Sequence, residues 1–284
     1  MINQLFHHEF WEQAWKNDQN TGIKKMYKTG LGSNESEGFI NWARKYDANS
    51  FTAEGTKRTE RIISWIEKQI DSVENLTMLD VGAASGIFSI PFSKRGAKVT
   101  SLEPSSLLSS MLYRNAEDHG VMINIVNQSF EDFNPADHQD YDFVFASMCP
   151  AMSDWNAIKK GLNLANKYFY VSLSAGPNEN LLVEELLSEL KIEAPNILTS
   201  DMFYILQLLY LNNYTYQSLI ERHQKTVEMT LEEVIDSLEV WFSNYNISLT
   251  EVQKADSIDY LRNKYGQKVA VTTGGKFGKV LVHL

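Results

Sequence analysis

The chain has 284 residues and a formal net charge of −10, which argues against nucleic acid as a partner because phosphate backbones are held by clustered Lys and Arg. Its one cysteine, Cys149, excludes an internal disulfide and a multi-cysteine metal site, and we expect no bound metal. No apolar run approaches the ~18 residues of a membrane span, and the first residues lack the basic-then-apolar plan of a signal peptide, so we expect no membrane partner and a cytoplasmic location.

Residues 1–55 predict an aromatic-rich helical segment, since Phe6, Phe10, Trp11 and Trp15 recur at helical spacing. A further helix is predicted near 57–72. Apolar strands are then predicted at about 76–81, 98–103, 122–127, 141–146 and 167–174, separated by helix-length segments. This alternation is typical of a parallel sheet, so residues 56–177 predict an α/β core.

After that core, residues 178–255 predict a helical insertion that follows the fifth strand. Helices are expected at 180–193, 202–221 and 230–242, the last opening with a capping box of Thr230 and Glu233. Such an insertion lies over the carboxyl ends of the strands, where doubly wound sheets bind ligands, so we expect it to act as a lid. Residues 256–284 predict a C-terminal helix and a hairpin, KVAVTT and KVLVHL joined by a glycine turn, that completes the sheet.

The segment 79–86, LDVGAASG, joins the first predicted strand to a helix through a turn of small residues. Gly82 and Gly86 let the backbone turn tightly and approach a ligand that a Cβ would block. Asp80 precedes the turn, and Glu103 ends the next strand, where a ribose would place its hydroxyls. This order of strand, glycine turn, helix, strand and acid predicts half of a doubly wound nucleotide-binding fold.

The details of the turn separate two classes of cofactor. A dinucleotide site needs G-x-G-x-x-G, and the spacing of Gly82 and Gly86 does not match it, which argues against a nicotinamide-dependent oxidoreductase. Asp80 would repel a pyrophosphate but suits S-adenosylmethionine, which carries an ammonium and a sulfonium. The alternative is a loop and strand in an α/β protein that binds nothing.

LDVGAASG, VTSLEPS and YDFVFASM resemble, in order, motifs one, two and four of the class I S-adenosylmethionine-dependent methyltransferases. The resemblance covers 76–173 and is weaker for WARKYD at 42–47 and for the Tyr-rich stretch 202–217. It implies an α/β, Rossmann-like, doubly wound sheet of seven strands with the last strand antiparallel. Ala84 replaces the central glycine of the family, and its methyl group is expected to be tolerated if the backbone keeps a negative φ.

Residue by residue, the resemblance implies a cofactor site for S-adenosylmethionine. The turn would line the methionine and ribose parts, Glu103 would take the ribose hydroxyls, and the segments after the third and fourth strands would contact the adenine and the amino group. For Phe130, core packing is an equally good interpretation. The implied cofactor residues are Asp80, Gly82, Ala83, Ala84, Gly86, Glu103, Pro104, Ser129, Phe130, Glu131, Ser147 and Met148.

Candidates for the acceptor side carry a weaker signal. Aromatic residues could form a wall for a planar or cationic acceptor, with core packing as the alternative. Cys149 fits a structural role better than a nucleophilic one, because direct methyl transfer needs no protein nucleophile. Substrate-binding candidates are Trp11, Cys149, Tyr204 and Tyr210, and candidates for a general base are His7, His8, Asp154 and His223.

The sequence therefore favours methyl transfer from S-adenosylmethionine to a small organic acceptor by direct displacement. The alternative from another class is a non-catalytic regulatory protein of the same fold that senses S-adenosylmethionine or S-adenosylhomocysteine. The expected partner is a small-molecule substrate, and the oligomeric state is left open.

Overall fold

A computed structural model describes residues 2–28, 37–134, 140–193 and 201–284. A 3-10 helix, Ile2–Phe6, comes first. The α-helices in the described ranges are α1 His8–Asn17, α2 Gly22–Lys28, α3 Glu37–Ser50, α4 Ala53–Glu67, α5 Ser89–Lys94, α6 Ser106–Asp118, α7 Trp155–Leu164, α8 Leu181–Glu189, α9 Asp201–Leu211, α10 Leu231–Asn244 and α11 Glu251–Lys264. None of these helices is long and apolar enough to cross a membrane.

The strands form one seven-stranded sheet with the order β3-β2-β1-β4-β5-β7-β6. Their bounds are β1 Thr77–Val81, β2 Lys98–Leu102, β3 Asn124–Val126, β4 Tyr141–Ser147, β5 Ala165–Asn180, β6 Thr215–Thr230 and β7 Lys268–His283. The first five pair in parallel, and the last strands are antiparallel. The prediction of a Rossmann-like, doubly wound sheet of seven strands is confirmed.

The chain divides into two compact units. The first contains Met1–Leu173, Asp201–Leu219 and Lys279–Leu284, and the second contains Ser174–Ser200 and Ile220–Gly278.

The core of the first unit forms where β1 and β4 face α4 and the segment around α5. Phe145 on β4 stacks on Tyr170 of β5 with ring centroids 4.7 Å apart, and Phe92 meets Phe145 edge-on at 5.2 Å. Ile63 and Ile66 of α4 are completely buried in the same cluster. Because β1 has β2 on one side and β4 on the other, the strand order reverses at β1, and in such sheets ligands bind at the carboxyl ends beside this point.

The second unit has its own apolar core, built by α8, α10 and α11 together with β7. Leu186, Leu238, Leu261 and Val271 are buried in this core. The predicted capping box opens α10 and is confirmed, since Glu233 N–H donates to Thr230 Oγ1 at 3.2 Å and Thr230 N–H donates to Glu233 Oε2 at 2.8 Å.

Two predictions of secondary structure are wrong. The helix expected at 202–221 ends at Leu211, because Asn213 takes a left-handed conformation with φ +61° and β6 begins at Thr215. The expected C-terminal hairpin is a single strand, β7, since Gly274 does not take a positive φ and continues the strand. A Cβ on Gly274 would clash with the carbonyl oxygen of His223 on β6, so this glycine permits close approach of a neighbouring strand.

Candidate functional site

The turn after β1 contains three residues with positive φ. The φ angles are +70° at Gly82, +50° at Ala84 and +92° at Gly86. The N–H of Gly82 donates to the carbonyl of Leu102 at 2.8 Å, which ties the turn to the end of β2. The condition for tolerating the methyl group of Ala84, a negative φ, is therefore not met, and a non-glycine residue in this region carries a strain of about 1–2 kcal/mol.

Glu103 follows β2 directly and is held against the turn. Its Oε2 accepts the N–H of Ala84 and its Oε1 accepts the N–H of Ser105, both at 2.9 Å. Burial raises the pKa of Glu103, and the two backbone N–H groups oppose that rise. Because an ionised carboxylate offers about four acceptor sites, this one keeps capacity for further donors such as hydroxyl groups.

Asp80 lies inside β1 with only 2% of its surface exposed. Its Oδ2 accepts the Ser89 hydroxyl at 2.5 Å, and Ser89 Oγ accepts the Ser101 hydroxyl at 2.7 Å. Burial raises the pKa of Asp80 to about 7; the Ser89 hydrogen bond lowers it, and the charge of Glu103 raises it further. Near neutral pH a cation close to Asp80 would favour loss of its proton.

Ser85 supplies an unsatisfied polar atom in the same turn. Its hydroxyl is fully buried and has no hydrogen-bond partner within the described ranges, whereas its carbonyl accepts Asn115 Nδ2–H at 2.9 Å. The Asn115 amide also donates to Asp47 Oδ1 at 2.8 Å, which joins α3, α6 and the turn. Since buried hydroxyls normally find partners, Ser85 fits a turn that contacts a polar ligand.

Cys149 packs beneath the turn, just beyond β4. A Cβ on Gly82 would lie 2.5 Å from Cys149 Sγ. Burial raises the pKa of the Cys149 thiol to about 12, so the sulfur is a neutral thiol near neutral pH. This state favours the structural interpretation of Cys149 over the nucleophilic one.

The neighbouring end of β4 places Ser147 and Met148 at the same edge of the sheet as Asp80 and Gly82. Met148 has φ +52° and its side chain is 46% exposed, while its N–H donates to the carbonyl of Ser172 at 2.8 Å. The hydroxyls of Ser147 and Ser172 lie 3.1 Å apart.

The segment after β3 is held by Lys160 of α7. Its ammonium donates to the carbonyls of Phe130 and Glu131 at 2.5 and 3.1 Å and lies 4.8 Å from the centroid of the Phe130 ring. Phe130 is 3% exposed, whereas Glu131 and Pro104 are exposed. The Ser129 hydroxyl donates to Asp132 Oδ2 at 2.7 Å, so Ser129 has a local turn partner.

The aromatic candidates divide between packing and exposure. The Tyr204 ring stacks on Trp15 at 5.9 Å, and its hydroxyl donates to Asp18 Oδ2 at 3.0 Å. Burial and Asp18 raise the pKa of Tyr204 to about 12. Trp11 meets Phe203 edge-on at 5.2 Å, and Tyr210 is 72% exposed. The structure thus brings Trp11 and Tyr204 into the packing of α1 on α9, which favours the core interpretation for Tyr204.

The four candidates for a general base differ in their contacts and exposure. Asp154 caps α7 by accepting the N–H of Ala157 at 2.9 Å, His8 Nδ1 lies 2.9 Å from Glu12 Oε1, and His7 is exposed at the start of α1. His223, which follows the helix predicted at 202–221, lies in β6 of the second unit, where its ring centroid is 6.0 Å from that of Phe277.

Sequence reasoning missed Tyr46 of α3. Burial raises the pKa of the Tyr46 phenol, Arg58 lowers it, and the carboxylates of Asp80 and Glu103 raise it, so Tyr46 lies within electrostatic range of both acids. The available signal was the WARKYD segment, which resembles a lead-in of the family and ends in Tyr46 and Asp47.

Comparison with known proteins agrees with this geometry. Residues 78–167 match the family described as "Methyltransferase domain". A ubiquinone biosynthesis O-methyltransferase from Hydrogenovibrio crunogenus is 32% identical over 77 residues, which are 27% of this chain and 32% of the relative. One from Rhodopseudomonas palustris is 29% identical over 79 residues, 28% of this chain and 30% of the relative. The chain therefore matches about a third of the length of these curated relatives.

Among solved structures, magnesium protoporphyrin IX methyltransferase from Synechocystis PCC 6803 with bound S-adenosylhomocysteine has a TM-score of 0.49 at 14% identity; the similarity covers 90% of this chain and 99% of that one. The match over residues 78–167 agrees with the resemblance of the sequence to class I methyltransferases, and the cofactor of that class is S-adenosylmethionine.

Proposed function

We propose that this protein is an enzyme that transfers the methyl group of S-adenosylmethionine to a small organic acceptor. The observation that carries the proposal is the position of Glu103, which the N–H groups of Ala84 and Ser105 hold at the carboxyl end of β2 beside the left-handed turn. A carboxylate fixed in this way is suited to the paired hydroxyls of a ribose.

The remaining cofactor contacts follow from this assignment. Gly82, Ala83, Ala84, Ser85 and Gly86 would line the methionine and ribose parts, with the unsatisfied Ser85 hydroxyl as a polar contact. The negative charge of Asp80 would favour a cationic ligand, because opposite charges attract strongly in a site with little water.

Further along the sheet edge, Pro104, Phe130 and Glu131 would flank the adenine. Ser147 and Met148 would lie beside the amino group.

S-adenosylmethionine held by these residues would supply an electrophilic methyl group for direct displacement by the acceptor. The chain positions the two reactants and excludes water around them. The neutral Cys149 thiol packs under the turn and takes no covalent part.

The acceptor class is open to a direct test. The named relatives are O-methyltransferases of ubiquinone biosynthesis, which favours an oxygen acceptor on a small ring compound. Phenols and catechols are therefore the first acceptors to offer, followed by amines and thiols as a comparison.

The experiment begins with calorimetric titrations of S-adenosylmethionine, S-adenosylhomocysteine and NAD. We expect affinities of about micromolar for the first two and no binding of NAD. Mass spectrometry then follows S-adenosylhomocysteine and methylated product across the acceptor panel, with the Glu103→Ala variant as the control. Binding of NAD alone would overturn the proposal, and tight cofactor binding without turnover on any acceptor would favour the regulatory alternative.

A further inference from the structure

Lys160 of α7 holds two consecutive peptide groups in the segment that follows β3. Its ammonium donates to the carbonyl of Phe130 at 2.5 Å and to the carbonyl of Glu131 at 3.1 Å, and it also lies 4.8 Å from the centroid of the Phe130 ring. An ammonium carries three N–H donors, so it can bind both carbonyls at once. One side chain of α7 therefore fixes the orientation of the backbone at Phe130 and Glu131.

The orientation of these two carbonyls decides where the N–H groups of the same peptides point. In a planar trans peptide the N–H lies opposite the C=O. The carbonyl of Glu131 shares its peptide group with the N–H of Asp132, which donates to Ser129 Oγ at 3.1 Å. The carbonyl of Phe130 shares its peptide group with the N–H of Glu131, and in the described part of the chain no hydrogen bond engages that N–H. Lys160 thus leaves the N–H of Glu131 as a donor directed away from the ammonium.

Glu131 combines this donor with an acceptor, because its side chain is exposed and ends in a carboxylate. The amino group of an adenine lies beside ring nitrogens that accept hydrogen bonds. A backbone N–H and a carboxylate on one residue match that arrangement of an acceptor beside a donor. A purine with an oxo group in place of the amino group offers no donor at that position, so the carboxylate would meet a second acceptor there.

We propose that Lys160 is a positioning residue for the adenine end of the cofactor site. By holding the carbonyl of Phe130, it presents the N–H of Glu131 to a ring nitrogen of the base, beside the carboxylate that accepts from the amino group. This inference rests on the proposed function, because it takes S-adenosylmethionine as the ligand. Lys160 acts through the backbone of Glu131, so its loss should affect recognition of the base in particular.

The test compares two ligands that differ only in the base. S-inosylhomocysteine has an oxo group and a protonated ring nitrogen where S-adenosylhomocysteine has the amino group and an acceptor. By calorimetry, we expect the wild type to bind S-adenosylhomocysteine about tenfold more tightly than S-inosylhomocysteine. Lys160→Met, which keeps an unbranched side chain without donors, should weaken S-adenosylhomocysteine roughly tenfold and S-inosylhomocysteine by less than about twofold. The discrimination between the two bases should therefore disappear.

Two further variants separate positioning from a general effect on folding. Lys160→Arg keeps the charge and several N–H donors, so it should retain most of the discrimination. Lys159→Met is the matched control on the same helix, since the Lys159 side chain is 44% exposed and its Nζ lies 4.0 Å from Glu12 Oε2, and it should leave both affinities unchanged. A merely structural loss in Lys160→Met would weaken both ligands by the same factor, and urea unfolding of each variant measures that loss.

Hydrogen exchange of the Glu131 amide, followed by NMR, gives a readout other than affinity. Saturating S-adenosylhomocysteine should slow this exchange by about tenfold in the wild type and in Lys160→Arg, and by much less in Lys160→Met. Equal discrimination in the wild type and Lys160→Met, or a Glu131 amide that the ligand does not protect, would overturn the role of Lys160 and leave the proposed function in place. If S-adenosylhomocysteine does not bind the wild type, the proposed function falls and this inference falls with it.

Discussion

The sulfur of Cys149 lies in the space that a side chain on Gly82 would fill, since a Cβ built on Gly82 would be 2.5 Å from Cys149 Sγ. The two residues follow neighbouring parallel strands, β1 and β4, and so meet at the same edge of the sheet. Gly82 is thus required twice, once by its φ of +70° and once by the thiol packed against it.

A pair of substitutions separates these two requirements. Gly82→Ala should lower the free energy of unfolding by about 2–4 kcal/mol, through left-handed strain and overpacking against the sulfur. Cys149→Ala should cost about 1–2 kcal/mol by itself. The double variant removes the clash but keeps the strain, so it should be more stable than the sum of the single effects by about 1 kcal/mol. Urea unfolding measures all four proteins, and strict additivity would mean that the sulfur does not limit the space at Gly82.

Ala84→Gly should stabilise the protein. Ala84 has φ +50°, a conformation that glycine adopts without strain, while its N–H to Glu103 is a backbone bond that the substitution keeps. We expect a gain of about 0.5–1 kcal/mol in the free energy of unfolding, because relief of strain exceeds the greater chain entropy of glycine. Ala83→Gly is the matched control, since Ala83 is buried without a positive φ and its replacement should destabilise. A loss of stability in Ala84→Gly would show that packing of its methyl group outweighs the strain.

Sequence patterns predicted the parallel part of this fold because that part is local. Strands expected at 98–103 and 141–146 are β2 Lys98–Leu102 and β4 Tyr141–Ser147, each a short apolar run that neighbouring residues define. The helix predicted at 202–221 is too long because the first half of that stretch has helical apolar spacing. Nothing before Asn213 in the stretch indicates the change to a strand. Gly274 was interpreted as part of a hairpin turn, because a sequence does not show that a neighbouring backbone approaches a glycine.

In the candidate site, too, local features could be predicted from the sequence and non-local contacts could not. Asp80 and Glu103 were placed by spacing within two adjacent motifs, whereas the contact of Cys149 with Gly82 joins residues that only the folded sheet brings together. The bond from Asn115 to Ser85 and the field of the two acids at Tyr46 are likewise non-local. Such contacts leave no periodic trace in one sequence, so the contacts themselves could not be predicted from it.

Asp80→Asn should stabilise the protein at alkaline pH. The pKa of Asp80 is raised from 3.8 to about 7 in the folded state, so this group favours folding most at low pH, and that contribution is lost as the pH rises from about 4 through 7. Asparagine keeps an acceptor for the Ser89 hydroxyl and has no charge to bury. We expect the free energy of unfolding to rise by roughly 1–4 kcal/mol at pH 8, with a smaller gain at pH 5, as measured by urea unfolding at both values.

The same substitution should weaken the cofactor site. Removing a buried negative charge should lower the affinity for S-adenosylmethionine roughly tenfold at pH 8, and the wild-type affinity should fall as the pH drops below about 7 and Asp80 takes up its proton. Ser89→Ala is a useful comparison, because it removes the hydrogen bond that lowers the pKa of Asp80 and should therefore move the fall in affinity to higher pH. Calorimetry that finds equal affinity at pH 6 and pH 8 would show that the charge of Asp80 does not act on the cofactor.

Glu103→Ala should weaken S-adenosylmethionine and S-adenosylhomocysteine binding equally, by about 1–3 kcal/mol, because both ligands carry the ribose and both lose charge-assisted hydrogen bonds. Glu103 also accepts the N–H groups of Ala84 and Ser105, so urea unfolding must accompany the titrations to detect a change in the turn itself. Glu117→Ala is the control, since Glu117 is exposed, its side chain contacts Tyr113 on the same helix, and its removal should not alter affinity. A folded Glu103→Ala protein with unchanged affinity for both ligands would show that the ribose does not bind at Glu103, because loss of the carboxylate would then have removed no contact with either ligand.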